Sequence, residues 1–135
     1  MCSPISRGTG RILVVDDEEW VLEIAKAFLE RAGFEVETAI GGRGGIERFK
    51  ANPGKFDAVV LDLAMPDVPG DEVFAQLREL HAGIPVIAVS GYNEDVAAER
   101  FATSGFTDFV QKPYEPEDLV EAVSAAVGSP GHSSR

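Results

Sequence analysis

The stretch AVVLDLAMPDVPG, residues 58–70, holds four apolar residues that stop on an aspartate and then give way to prolines and a glycine. Such a run, bounded by turn formers, fits a short strand buried on both faces, with Asp62 at its carboxyl end. An aspartate in that place has an ordinary explanation, because its side chain accepts a backbone N–H and begins a turn. The sequence on either side decides whether Asp62 is an isolated case.

Upstream, RILVVDD (11–17) is another short apolar run that ends in acids. EEWVLEIAKAFLERAG (18–33) then changes period: Val21, Ile24, Ala25, Phe28, Leu29 and Ala32 are spaced for one helical face, and Gly33 is placed as a stop. FEVETA (34–39) alternates as a strand, and GGRGGIERFKAN (41–52) reads as a weaker helix closed by Pro53 and Gly54. Gly44 and Gly45 each cost about 1 kcal/mol relative to alanine, so this second helix is predicted to start late or fray. Downstream, DEVFAQLREL (71–80) carries Val73, Phe74, Leu77 and Leu80 on one face, IPVIAVS (84–90) is a strand, and EDVAAERFATSG (94–105) is a helix ending at Gly105. FTDFVQK (106–112) and PEDLVEAVSAAVG (116–128) complete a fifth pair, with Pro116 in the first helical turn and Leu119, Val120, Val123 and Val127 as the buried stripe.

Strands and helices in strict alternation argue for an α/β fold, a doubly wound five-stranded parallel sheet with five helices on its two faces. The continuous apolar runs of the first, third and fourth strands say that these are buried on both sides. Parallel strands joined by right-handed crossovers all end on one edge of the sheet, and ligands of such folds bind outside that edge.

Composition narrows the function. The 12 Lys and Arg against 23 Asp and Glu leave a net charge of -11, which repels phosphate backbones and anionic lipid alike. No nucleic acid and no membrane are expected as partners of this domain. No apolar stretch approaches the ~20 residues that span a bilayer, and the opening MCSPISRGTGR lacks the apolar core of a signal peptide, so a cytoplasmic protein is expected. Cys2 is the only cysteine, and His81 and His132 lie far apart, so neither a disulfide nor a Cys/His metal site is expected.

The strand ends then line up: Asp16 and Asp17 after ILVV, Asp62 after AVVL, Ser90 after VIAV, and Lys112 after DFVQ. Capping accounts for Asp17, Asp62 and Ser90 one at a time, but not for a lysine followed by proline or for adjacent acids opening the first loop. Three clustered carboxylates repel one another unless cations compensate, as a hard divalent ion together with Lys112 would. Carboxylate oxygens, a backbone carbonyl and retained waters are the ligands that Mg2+ prefers.

On these residues the sequence resembles the receiver domains of two-component response regulators, the CheY-like superfamily. The match runs over 11–127 and rests on the acidic pair Asp16 and Asp17, Asp62 within LDLAMPDVPG, Ser90 within VSG, and Lys112-Pro113, in order and each at a strand end. Residues 1–10 are then an N-terminal extension and 128–135 a flexible C-terminal tail, too short for another domain, so no output module is expected there. The resemblance implies a flavodoxin-like strand order, 2-1-3-4-5. It implies that Asp62 takes a phosphoryl group from a phosphohistidine on a histidine kinase or histidine phosphotransfer protein. Mg2+ would be held by Asp16, Asp17, Asp62 and the backbone carbonyl of Ala64, while Lys112 and Ser90 contact the phosphoryl oxygens. Ser90 and an inward-turning Phe109 would switch the face made by the fourth helix, fifth strand and fifth helix toward a downstream protein target. Phe109 is equally readable as plain core. The resemblance further implies a cis peptide bond before Pro113, and places Ala64 and Tyr92 beside the phosphoryl group, where they set its lifetime.

Rival readings are weaker. A flavodoxin-type FMN binder needs a hydroxyl- and glycine-rich loop after the first strand, where DDEE would repel phosphate. A haloacid-dehalogenase-like phosphatase wants a second aspartate two residues after its nucleophile, and Ala64 stands there. A degenerate receiver acting only as a protein-interaction module would not need the complete constellation. The expected protein is therefore no general enzyme; it catalyses only its own phosphorylation and dephosphorylation.

Overall fold

The computed structural model describes residues 10–52, 54–63, 67–68, 70–90, 108–111 and 115–133. Five strands, β1 (Arg11–Asp16), β2 (Glu35–Ile40), β3 (Ala58–Asp62), β4 (Val86–Ser90) and β5 (Asp108–Gln111), form one sheet in the order β2-β1-β3-β4-β5. Every neighbouring pair is parallel. Among the described residues there are four helices: α1 (Glu19–Arg31), α2 (Gly41–Ala51), α3 (Gly70–Leu80) and α4 (Pro116–Ser133). The helix expected over 94–105 lies outside the described residues. None of the helices is long and apolar enough to cross a membrane.

Successive side chains on a strand point to opposite faces, and that alternation builds two cores. Leu13, Val15, Val59, Leu61, Val86 and Ala88 face one way, against Phe49 of α2 and Val73, Phe74 and Leu77 of α3. Ile12, Val14, Ala58, Val60, Ile87, Val89 and Val110 face the other way, against Leu22, Ala25 and Leu29 of α1 and Leu119, Ala122, Val123 and Ala126 of α4. Central strands buried on both faces thus explain why β1, β3 and β4 read as unbroken apolar runs.

Gly33 ends α1 at φ 104°, a left-handed conformation. Its N–H donates to the Glu30 carbonyl at 2.9 Å and that of Phe34 to the Leu29 carbonyl at 3.1 Å, so the last carbonyls of α1 are satisfied as Phe34 enters the core.

Four details differ from the sequence expectation. On α1, Ile24 is 42% exposed while Leu22 is buried, because the helix turns its 22-25-29 face to the sheet. Leu80, at the last turn of α3, is exposed at 37%. The final helix runs through Gly128 to Ser133. Most telling, α2 neither starts late nor frays at its glycines; it begins at Gly41, directly after β2.

The glycines make that start possible. Gly41 has φ 85°, and a Cβ on Gly45 would stand 2.8 Å from both Val15 methyl carbons, so α2 lies against β1 more closely than a side chain would allow. Ile40 offers α2 no side-chain cap. The cap comes from the loop after β3: Asp67 Oδ1 accepts the Gly42 N–H at 3.0 Å and its own neighbour Val68 N–H at 2.9 Å, and Oδ2 accepts the Arg43 N–H at 3.1 Å.

Candidate metal and phosphoryl-acceptor site

The sheet register brings Asp16 and Asp62 to the same edge. Val15 lies beside Leu61 and Asp62 beside Val89, so β1 and β3 end level, each on an aspartate. Asp16 follows Ile12 and Val14, and Asp62 follows Ala58 and Val60; both therefore continue the α1-facing side of the pleat. Asp17, the first residue past β1, joins them. One carboxylate oxygen from each of Asp16, Asp17 and Asp62 lies within 4.8 Å of the others.

Burial separates the three. Asp16 and Asp62 are each only 3% exposed and are the buried charged residues among the described ones, whereas Asp17 is exposed. Asp16 Oδ1 accepts the Glu18 N–H at 3.0 Å, which fixes the carboxylate while starting the turn into α1. Here capping and clustering are performed by the same side chain, and it is Asp16, not Asp17, that makes this turn bond.

Carboxylates so gathered suit a hard divalent ion. Ligands of an octahedral Mg2+ at about 2.1 Å stand about 3 to 4.2 Å from one another, so oxygens within 4.8 Å need only a small inward adjustment. The all-oxygen donor set excludes a soft-metal preference.

Of the other expected site residues, Ser90 ends β4 beside Gln111 of β5, one step beyond the Asp62–Val89 pair, and Phe109 pairs with Ala88. These two are described by their backbone alone. Ala64, Tyr92, Lys112 and Pro113, with the peptide bond before it, lie outside the described residues.

Sequence reasoning passed over Asp67. The N–H groups of Arg43 first, then of Gly42 and Val68, hold its carboxyl below the ordinary aspartate value, against the opposing effect of burial. The available signal was a helix opening on Gly41 and Gly42 with Ile40, not Ser, Thr, Asp or Asn, in the position immediately before it, which calls for a cap from elsewhere.

A family model described as the response regulator receiver domain matches residues 12–124. The transcriptional regulatory protein SrrA of Staphylococcus aureus is 32% identical over 117 residues, covering 87% of this chain and 47% of that protein. The chain thus spans about half the length of the curated relatives it matches. Among solved structures, a response regulator receiver domain protein from Clostridium thermocellum superposes with a TM-score of 0.85 at 28% identity, over 93% of this chain and 99% of that one. A CheY-like receiver domain protein from Methanospirillum hungatei JF-1 gives 0.81 at 28% identity, over 91% and 97%. The BeF3-activated receiver domain of DrrB gives 0.76 at 28% identity, over 88% and 97%. The chain belongs to the response regulator receiver domain family of two-component systems, whose general role is to accept a phosphoryl group.

Proposed function

We propose that Asp62 is the phosphoryl acceptor, in a Mg2+-dependent transfer from a phosphohistidine of a histidine kinase or histidine phosphotransfer protein. The observation that carries this reading is the convergence of Asp16, Asp17 and Asp62 at the carboxyl edge of the sheet in a chain of this family. An Asp62 carboxylate oxygen attacks phosphorus, the P–N bond breaks, and its electron pair stays with the departing imidazole nitrogen, which is protonated. Asp62 is only 3% exposed, so its carboxylate is largely withdrawn from water. Asp16, held by the Glu18 N–H, and Asp17 would hold Mg2+ with Asp62 and the Ala64 carbonyl. Bound there, the ion would offset the charge of the carboxylates and of the incoming phosphoryl oxygens. Lys112 and Ser90 are assigned as the donors to those oxygens, and Ala64 and Tyr92 as the residues governing hydrolysis.

Phosphorylation would move Ser90 toward the new group and turn Phe109 inward, changing the face made by the helix over 94–105, β5 and α4 that a downstream protein reads. The protein would act in the cytoplasm and catalyse only its own phosphorylation and dephosphorylation. Incubation with acetyl phosphate and Mg2+, followed by intact mass measurement, tests the assignment. Wild type should gain one phosphoryl group and Asp62→Asn none; equal gain by both proteins would overturn it.

A further inference from the structure

A single residue joins the Asp16 carboxylate to the body of α1. Glu18 stands just before the helix with φ -113° and ψ 117°, and its carbonyl accepts the Val21 N–H at 3.1 Å and the Leu22 N–H at 3.2 Å. Its own N–H donates to Asp16 Oδ1 at 3.0 Å. Val21 and Leu22 are buried, Leu22 in the same core as Val14 and Val60. Backbone bonds therefore lead without a gap from that core, through the first turn of α1, to the carboxylate at the end of β1. The Glu18 side chain takes no part, since it is exposed and makes no cap bond of its own.

The bond decides something the sheet cannot. Pairing with Ile40 fixes where the Asp16 backbone stands, but the plane of an aspartate carboxylate turns about a broad terminal torsion. Asp17 is exposed and can follow an incoming ion, whereas Asp16 is 3% exposed and must be oriented beforehand. The Glu18 N–H supplies that orientation.

The geometry points to Glu18 as a positioning residue for metal binding: its backbone N–H sets the plane of the Asp16 carboxylate, so the first turn of α1 shapes one side of the Mg2+ site. This rests on the reading of Asp16, Asp17 and Asp62 as a Mg2+ site. Glu18 is assigned no contact with ion or phosphoryl group; it acts through Asp16, as outer hydrogen-bond partners orient the ligands of metal sites generally. The coupling is reciprocal, so an ion that binds better when the N–H bond is made also favours the making of that bond.

Glu18→Ala and Glu18→Pro remove the same charge, but alanine keeps the N–H and proline has none. Glu19→Pro moves the ring to the first helical position, where proline is accommodated, and asks only that residue 18 be extended, as it already is. The probe is Mg2+ alone, titrated calorimetrically into the intact chain of wild type and the three variants, with folding checked by circular dichroism. Mg2+ dependence of acetyl phosphate labelling is measured alongside. Glu18→Pro should bind Mg2+ about 10-fold more weakly, while Glu18→Ala and Glu19→Pro stay within about 3-fold of wild type, the share of a screened charge. Labelling of Glu18→Pro should need more Mg2+ yet reach the wild-type rate at saturation. A purely structural role would lower the ceiling and leave the Mg2+ midpoint in place.

Hydrogen exchange in wild type needs no substitution, and it decides the matter alone if Glu18→Pro does not fold. Saturating Mg2+ should slow exchange of the Glu18 amide by up to the same factor, about 10-fold, and leave the Glu30 amide in the last turn of α1 at its rate. Equal Mg2+ affinities for Glu18→Pro and Glu18→Ala would overturn the inference while leaving the metal site intact. So would a Glu18 amide that Mg2+ leaves unchanged or slows no more than Glu30. A wild type that binds no Mg2+ would instead overturn the site itself.

Discussion

Two charge clusters on this sheet differ in what the described residues bring together. Around Glu37 of β2, one carboxylate meets three cations: Lys55 at 2.5 Å, Arg11 at 3.3 Å and Arg48 at 3.3 Å, while Arg11 also pairs with Glu35. At the carboxyl ends of β1 and β3, three carboxylates converge instead. The hydrogen bond from Lys55 is the foremost reason that the Glu37 carboxyl is held below the ordinary glutamate value; Lys55's charge, Arg48 and Arg11 add to it, and burial opposes. The first cluster satisfies its charges internally and can be understood as stabilisation. The second brings three carboxylate oxygens within 4.8 Å of one another and could hold a metal ion, so the same residue type serves stability in one cluster and is available for binding in the other.

The largest effect that could break this contrast is on phosphoryl uptake. Asp17→Ala should lose Mg2+ binding and acetyl phosphate labelling together, because two aspartates leave the ion largely hydrated. Glu37→Gln should keep both at wild-type levels. Calorimetry and intact mass spectrometry read the two variants side by side, and an Asp17→Ala protein that binds Mg2+ like wild type would reduce the acidic pair to a turn.

Next comes the seat of β1. Gly45→Ala would force a methyl to within 2.8 Å of Val15, the residue before Asp16, and overpacking of that kind costs about 1–3 kcal/mol. Gly54→Ala meets nothing within 4 Å and should leave unfolding unchanged. Urea denaturation measures both, and Mg2+ affinity should fall only in Gly45→Ala if the strand's seat fixes the aspartates.

That test also marks where the sequence was legible. The strand ends were readable because ILVV and AVVL are unbroken apolar runs, and each stops on the aspartate that the fold then brings together. The start of α2 was not readable. Four glycines weaken a helix by local propensity, but here Gly41 supplies a left-handed turn, Gly42 and Gly45 permit close packing, and the cap arrives from Asp67 through tertiary contact. Periodicity alone also misjudged Ile24 against Leu22, since a helix with apolar residues on both sides of its stripe can rotate by part of a turn.

A smaller effect is expected at Glu37. Its partners are partly exposed, with side-chain exposures of 32% for Lys55, 36% for Arg11 and 51% for Arg48, so each pair contributes about 0.2–1 kcal/mol. Glu37→Gln should therefore lower stability by about 1 kcal/mol at pH 7, and less at high salt. Because the folded-state pKa is depressed, wild type holds its advantage above the unfolded glutamate value and loses it as pH falls below about 4.3 through the folded value. Thermal melts of both proteins from pH 7 to pH 3 should converge; a constant gap would assign the effect to packing rather than charge.

Smallest of all, and opposite in sign, Asp17→Ala without divalent ions should be no less stable than wild type, with a gain on the order of 0.5 kcal/mol from relieved repulsion at an exposed site. Melting in the presence of a chelator measures it. A clear loss would mean that Asp17 stabilises the fold, and the contrast with Glu37 would disappear.

The central claim, that the carboxylate of Asp62 itself receives the phosphoryl group, is tested most directly by reductive trapping. Label wild type with acetyl phosphate and Mg2+, treat it with borohydride, which reduces an acyl phosphate to an alcohol, and locate the modified residue by peptide mass spectrometry. The account predicts homoserine at position 62 and at no other aspartate. Homoserine at position 16 or 17, or a labelled protein in which no aspartate is reduced, would contradict it.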